Sequence, residues 1–253
     1  MCGQRPQPNY VQESLERGGS AMTFEQMIEN SGHIVFFGGA GVSTASGIPD
    51  FRGAEGIGGR KAEEVLSHSF FINRTEEFFE FYRKHMLFPN AVPNAAHYAL
   101  AELERRGKLK AVITQNVDGL HRRAGSNIVY ELHGNVDHNY CMECGKAYGA
   151  EYVMRSRGIP RCACGGVIKP DVVLYGEPLD PYMLRMSNAY AMAAQMLIVA
   201  GTSLSVFPAN EIVDSYMHNR LVIINDTPTE FDQKADLIIR DKVETVLGRL
   251  LNK

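Results

Sequence analysis

The sequence predicts an α/β fold built on a doubly wound parallel sheet, and three observations carry that expectation. Five or six short apolar runs, at 34–37, 111–114, 128–132, 196–200, 221–224 and 237–239, alternate with stretches of helical periodicity, as βαβ units on a parallel sheet do. The first run empties into Gly38-Gly39-Ala40-Gly41, where side chains give out and only backbone can approach a ligand. Two cysteine pairs, Cys141/Cys144 and Cys162/Cys164, interrupt the alternation and predict a metal-binding module.

At 253 residues and 45% apolar composition, the chain can bury a sizeable core as one large α/β domain with a smaller insert. The net charge is −3, from 26 basic and 29 acidic side chains, which leaves no electrostatic footprint for nucleic acid. No apolar run approaches the length of a membrane span, and the N-terminus has no apolar signal core. A soluble, cytoplasmic monomer is therefore expected. Residues 1–21, with Pro6, Pro8, Gly18 and Gly19, read as a disordered tail that carries the odd fifth cysteine, Cys2. Thr23 and Gln26 then make a capping box for a short helix that turns Met27 and Ile28 inward.

After the first strand, the glycines and the hydroxyls of Ser43, Thr44 and Ser46 lead into an expected helix N-terminus that would attract a pyrophosphate. The usual hydride-transfer fingerprint is absent, because Thr44 stands where the third glycine belongs and no strand ending in an acid follows about twenty residues on. Ile48-Pro49-Asp50-Phe51-Arg52 instead brings an acid, an aromatic ring and a guanidinium on one loop. Gly56, Gly58 and Gly59 predict a mobile lid. The helix at 76–85 carries Phe78, Phe79, Phe81 and Tyr82, which are read as core. Asn94 caps the next helix and Gly107 ends it, with His97 inside as a structural histidine.

The second strand runs into Gln115-Asn116-Val117-Asp118, polar groups at the edge where open α/β sheets bind ligands. The third ends at His133-Gly134, where an imidazole able to titrate near neutral pH is a candidate general base. The four cysteines suit a closed tetrahedral zinc site of structural kind, with disulfides as the alternative. The β-rich run at 168–177 fits equally an edge that pairs with an extended peptide or a plain core strand. A helix at 181–195 follows, then strands ending at Gly201-Thr202-Ser203 and at Asn225, and a closing helix. The ligand edge of such a sheet gathers Gly39, Gln115, His133, Ser203 and Asn225.

Taken together, Gly39-Ala40-Gly41-Val42-Ser43 through Arg52, residues 114–121, Glu131-Leu132-His133-Gly134, the cysteines, Lys169-Pro170-Asp171-Val172-Val173, Gly201-Thr202-Ser203-Leu204 and Ile224-Asn225 resemble the sirtuins. The pieces occur in that family's order and cover the chain from about Thr23 onward. The resemblance implies a Rossmann-like domain over 22–53, 94–138 and 169–253, and a small domain over 54–93 and 139–168 that joins a helical lid to a zinc-ribbon module. It implies NAD-dependent removal of an acetyl group from lysine, releasing nicotinamide and O-acetyl-ADP-ribose. His133 would be the base, with Asn116 and Asp118 at the nicotinamide and its ribose. Gly39, Ala40, Gly41, Thr44, Asp50, Phe51, Arg52, Gln115, Val117, Gly201, Thr202, Ser203, Asn225 and Lys242 would complete the NAD site. The acetyl-lysine peptide would lie as a strand between Val173 and the loop at 205–207. His85 stands where relatives selective for acidic acyl chains have the arginine of a Tyr-x-x-Arg pair begun here by Tyr82, so a neutral acyl group is expected. The lid lacks the aromatic often found in the family's loop, which predicts looser closure. A mono-ADP-ribosyltransferase on the same fold and a non-enzymatic NAD- or acetyl-peptide-binding module are the alternatives.

Overall fold

The computed structural model of the protein describes residues 12–13, 22–50, 61–218 and 220–252. Strand β1 (Gln12–Glu13) precedes helix α1 (Phe24–Glu29), which Thr23 and Gln26 close with the expected reciprocal capping box. Strand β2 (Ile34–Gly38) is buried throughout. Two 3₁₀ turns follow it, Ala40–Val42 and Thr44–Ser46, in place of the helix expected there. Gly47, at φ 83°, ends the second turn in a left-handed conformation, and Pro49 follows before a helix can propagate.

Short helices α2 (Ala62–Val65) and α3 (His68–Asn73) lead into α4 (Thr75–His85). Helix α5 (Ala95–Arg105) is capped by Asn94, whose Oδ1 accepts from the Ala96 N–H while His97 Nδ1 accepts from the Asn94 N–H. Strand β3 (Leu109–Thr114), helix α6 (Leu120–Arg123) and strand β4 (Val129–Glu131) come next. Strands β5 (Gly134–Cys141) and β6 (Ala147–Gly149), helix α7 (Ala150–Arg155) and strand β7 (Ile168–Val172) form the second layer. The chain closes with α8 (Pro181–Ala193), β8 (Met196–Ala200), α9 (Glu211–Asp214), β9 (Leu221–Ile224), β10 (Leu237–Ile239) and α10 (Val243–Gly248).

The large sheet has the order β1-β10-β9-β8-β2-β3-β4, with six parallel strands and β1 antiparallel on the edge. Of the tail expected to be disordered, Gln12 and Glu13 thus pair with Ile239 and Ile238; the rest of 1–21 lies outside the described residues. The chain runs outward from β2 through β3 to β4, then crosses back to β8 on the other flank, so the order reverses beside β2. That is where open α/β sheets hold ligands. Alternation along β2 sends Ile34 and Phe36 to a core shared with α1, α5 and α10, and Val35 and Phe37 to a core shared with α8 and α9.

The second sheet is antiparallel, in the order β6-β5-β7. Residues 134–138 and 169–172, expected within the larger domain, belong to β5 and β7 of this smaller sheet, with Gly134 opposite Val172; an apolar run reports burial but not which sheet buries it. The strand expected over 168–177 stops at Val172, and Gly176 turns at φ 91°. Around the small sheet, Phe71, Phe78, Phe79 and Tyr82 form one aromatic core, with edge-to-face pairs at 5.0 and 5.3 Å. Truncating one such ring costs about 3–5 kcal/mol.

Candidate active site and metal centre

The loops that leave β2, β3, β8 and β9 are stitched to one another at their first residues. The Gln115 N–H donates to Gly38 O at 2.9 Å, Gly39 N–H to Ala200 O at 3.1 Å, Gly41 N–H to Gly201 O at 2.9 Å and Gly201 N–H to Ile224 O at 3.0 Å. A Cβ on Gly39 would fall 2.7 Å from Thr202 Cβ, and one on Gly41 would fall 2.7 Å from Gly201 Cα. Glycine is therefore demanded at both places by the neighbouring loop as well as by any ligand.

A buried polar cluster hangs from this junction. Thr202 Oγ1 donates to Gln115 Oε1 at 2.9 Å, while Gln115 Nε2 is buried without a protein partner. Asn116 Nδ2 donates to Gly39 O at 3.0 Å and to Ser43 Oγ at 3.1 Å, and Ser43 Oγ donates to Asp118 Oδ2 at 2.7 Å. Burial raises the Asp118 carboxyl above its ordinary range; the Ser43 hydroxyl, the Leu120 N–H and the charge of Arg123 oppose that rise without cancelling it. Ser43, which the sequence places in the glycine turn without a role of its own at the site, joins two of the predicted catalytic residues. Its signal was the hydroxyl directly after Gly-Ala-Gly-Val.

His133 sits between β4 of the large sheet and β5 of the small one. Its Nδ1 lies 2.9 Å from Gln115 O, and its carbonyl accepts from the Val173 N–H at 2.9 Å. A carbonyl only accepts, so Nδ1 carries the proton and Nε2 is the basic nitrogen.

These groups open onto a cleft of about 760 Å³ whose walls include Ala40, Asp50, Gln115, Asn116, Val117, Asp118 and His133. Val173 and the loop residues Val206, Phe207 and Pro208 also line it, as do the apolar Ile48, Ala62, Leu66, Met86 and Phe88. Gly39, Gly41, Gly201 and Thr202 lie behind the wall in the stitched junction. Thr44, whose hydroxyl bonds Gly41 O, and Ser203, which bonds Ser205, are exposed. Asn225 is buried and donates to Thr227 O, with its N–H on Ile239 O. Lys242 is exposed at the cap of α10 and does not line the cleft. Phe51, Arg52 and the expected lid at 56–60 lie outside the described residues. Neither Tyr82, buried in the aromatic core, nor His85, packed tilted against Phe81 at 4.8 Å, lines the cleft.

Behind Asp118, His121 on α6 packs its ring 4.7 Å from that of His97. Neither nitrogen of His121 has a hydrogen-bond partner, nor has His97 Nε2. Burial, helped by the charge of Arg123, pushes His97 down to about 4, and burial pushes His121 well below its ordinary value.

In the small module, the sulfur atoms of Cys141, Cys144, Cys162 and Cys164 all lie within 4.8 Å of one another, with neighbours at 3.5 and 3.6 Å. Four sulfurs each about 2.3 Å from a central ion stand at such spacings in tetrahedral zinc, so the cluster fits one ion and leaves no open position on it. Among the described residues no disulfide is formed; Cys141, Cys144, Cys162 and Cys164 are free thiols. Gly145 and Gly165 turn the two knuckles at φ 71° and 91°, and a Cβ on Gly166 would fall 2.7 Å from Cys141 Sγ.

Against known proteins, the Sir2 family model matches residues 39–208. A Clostridium perfringens protein named NAD-dependent protein deacetylase is 50% identical over 236 residues, 90% of this chain and 97% of its own. Its namesake from Clostridium acetobutylicum is 52% identical over 235 residues, 90% and 96% of the two chains. A solved Sir2 structure with a deacetylated p53 peptide and 3'-O-acetyl ADP ribose superposes with TM-score 0.83 at 40% identity, covering 90% of this chain and 96% of that one. A Sir2 structure with p53 peptide and NAD+ gives TM-score 0.81 at 40% identity over the same shares. With the match spanning the glycine turn, the strand-end cluster, His133 and the four cysteines, this chain belongs to the Sir2 family.

Proposed function

We propose that the protein is an NAD-dependent protein-lysine deacetylase that releases nicotinamide and O-acetyl-ADP-ribose. The observation that carries the reading is the convergence, in one cleft between the two sheets, of a tautomer-fixed His133 with Gln115, Asn116 and Asp118 at the switch point of the parallel sheet. The residues fit the dinucleotide: Gln115 Nε2 is a buried donor in want of an acceptor such as a ribose hydroxyl, and Ala40 of the glycine turn lines the same cleft as Gln115. Bound NAD would supply an electrophilic ribose carbon, from which the acetyl oxygen of the substrate displaces nicotinamide, and with one water the acetyl group would end on a ribose oxygen as the lysine amine is freed.

The chain's own residues supply orientation and one base. Gln115 O holds the His133 ring by Nδ1, so that Nε2 can take a proton from a ribose hydroxyl. Ser43 ties Asn116 to Asp118, which holds both side chains against the nicotinamide end of the cleft. Ala40, Thr44, Asp50, Phe51, Arg52, Val117, Thr202, Ser203, Asn225 and Lys242 complete the cofactor contacts by the family motif. The acetyl-lysine peptide enters as an extended strand between Val173 and the loop at 205–207, of which Val173, Val206 and Phe207 line the cleft. The four cysteines would hold zinc, whose part is to keep the module folded.

Deacetylation of an acetyl-lysine peptide, with and without NAD and beside a His133→Tyr variant, tests the reading. Turnover should require NAD and fall about a hundredfold or more in the variant. Label from adenine-marked NAD should leave with the acetyl group. If it stays on protein instead, the transferase alternative holds.

A further inference from the structure

We propose that Lys169, Glu177 and His68 form a positioning triad that sets segment 173–176 for the acyl-lysine peptide, an inference that rests on the deacetylase reading above. Lys169, near the start of β7, is only 5% exposed, and its Nζ donates to Pro170 O at 3.2 Å, Val172 O at 3.1 Å and Glu177 Oε2 at 3.1 Å. The same Glu177 oxygen accepts from the Leu174 N–H at 2.9 Å, and its other oxygen lies 2.8 Å from His68 Nδ1. One carboxylate thus joins a buried ammonium, the backbone of the segment and a side chain on α3.

The backbone follows the same route. The His68 N–H donates to Tyr175 O, and the Tyr175 N–H to Leu66 O, each at 2.9 Å, which makes a parallel bridge between Ser67 and Tyr175. The Glu177 N–H returns to Leu174 O at 2.9 Å across Gly176. Segment 173–176 is therefore held by hydrogen bonds to residues 66–68 and by Lys169 of β7 through Glu177, and its residues line the cleft together with Val206, Phe207 and Pro208. None of the three side chains bonds Gln115, Asn116, Asp118 or His133, the groups at the cofactor end. Removing Glu177 leaves the buried Lys169 ammonium without its counter-charge, and removing His68 unties the Glu177 carboxylate from α3, while the β5–β7 ladder keeps its own hydrogen bonds. The consequence falls on peptide binding and spares the cofactor.

Steady-state kinetics of the full chain with one fixed acetyl-lysine peptide distinguish this role from general support. Glu177→Gln and His68→Ala should each raise KM for the peptide about fivefold or more, with kcat and KM for NAD within about twofold of wild type. Lys169→Met should do the same where it folds. His68, whose side chain is 50% exposed, carries the test if Lys169→Met does not fold. Unchanged peptide KM in both Glu177→Gln and His68→Ala, or KM for NAD rising in step with it, overturns the triad. A wild-type protein without NAD-dependent turnover overturns the reading beneath it instead.

Discussion

The Nδ1 contact of His133 with the Gln115 carbonyl selects the nitrogen that does chemistry, so the backbone of one predicted cofactor residue sets the tautomer of the predicted base. Acyl choice also belongs to single side chains. Burial and the charge of Lys84 hold His85 below its ordinary value, and His85 packs tilted against Phe81 outside the cleft, so it is not the lasting cation that an acidic acyl chain needs. Succinyl-lysine should be removed more slowly than acetyl-lysine from the same peptide; a faster succinyl rate would refute this. A third residue-scale expectation concerns acid. His97 titrates at about 4 in the fold and near 6.5 when unfolded, so the unfolded chain binds more protons between those values. Its contribution is complete above about pH 6.5 and is lost as pH falls toward 4. Thermal melts at about pH 7 and pH 4.5 should show a smaller gap in His97→Gln than in wild type; equal gaps would count against it.

Between elements, the glycine with least room for a side chain among the described residues is the first residue of β5. Gly134 sits at φ 79°, and a Cβ there would lie 2.0 Å from Asp171 O on β7. Gly134→Ala should separate β5 from β7 beside His133, lowering stability by about 2 kcal/mol or more and cutting kcat/KM severalfold, as read by melting and steady-state assay. An alanine variant with wild-type rate and melting point would disprove it. The same scale shows what the sequence made readable. Strands at 196–200, 221–224 and 237–239 match the structure because a parallel strand covered on both faces is an unbroken apolar run. The helix after the glycines was misread because Gly47 stops it locally, which hydroxyl content does not report. Residues 169–172, expected within the larger domain, pair in the small sheet, since partner choice is tertiary and leaves no mark on a five-residue strand. At the site, Gln115, Asn116, Asp118 and His133 were legible as polar groups at strand ends, and they meet. Thr44 and Lys242 matched a motif, but neither lines the cleft.

For the whole molecule, the metal module and the parallel sheet are coupled through the short connection around His133. One zinc per chain is expected, and a strong chelator should lower the melting temperature and abolish turnover together, while Cys144→Ser reproduces both effects. Full activity in a protein shown by elemental analysis to be zinc-free would contradict it. Among the described residues, no helix is long and apolar enough to cross a membrane. The His133 carbonyl is fastened to Val173, which continues from the other strand of the same small ladder. Anyone exchanging the cysteine-bearing insert between relatives would therefore have to cut outside both ends of that ladder. A graft cut inside it would inherit the imidazole from one parent and its alignment from the other.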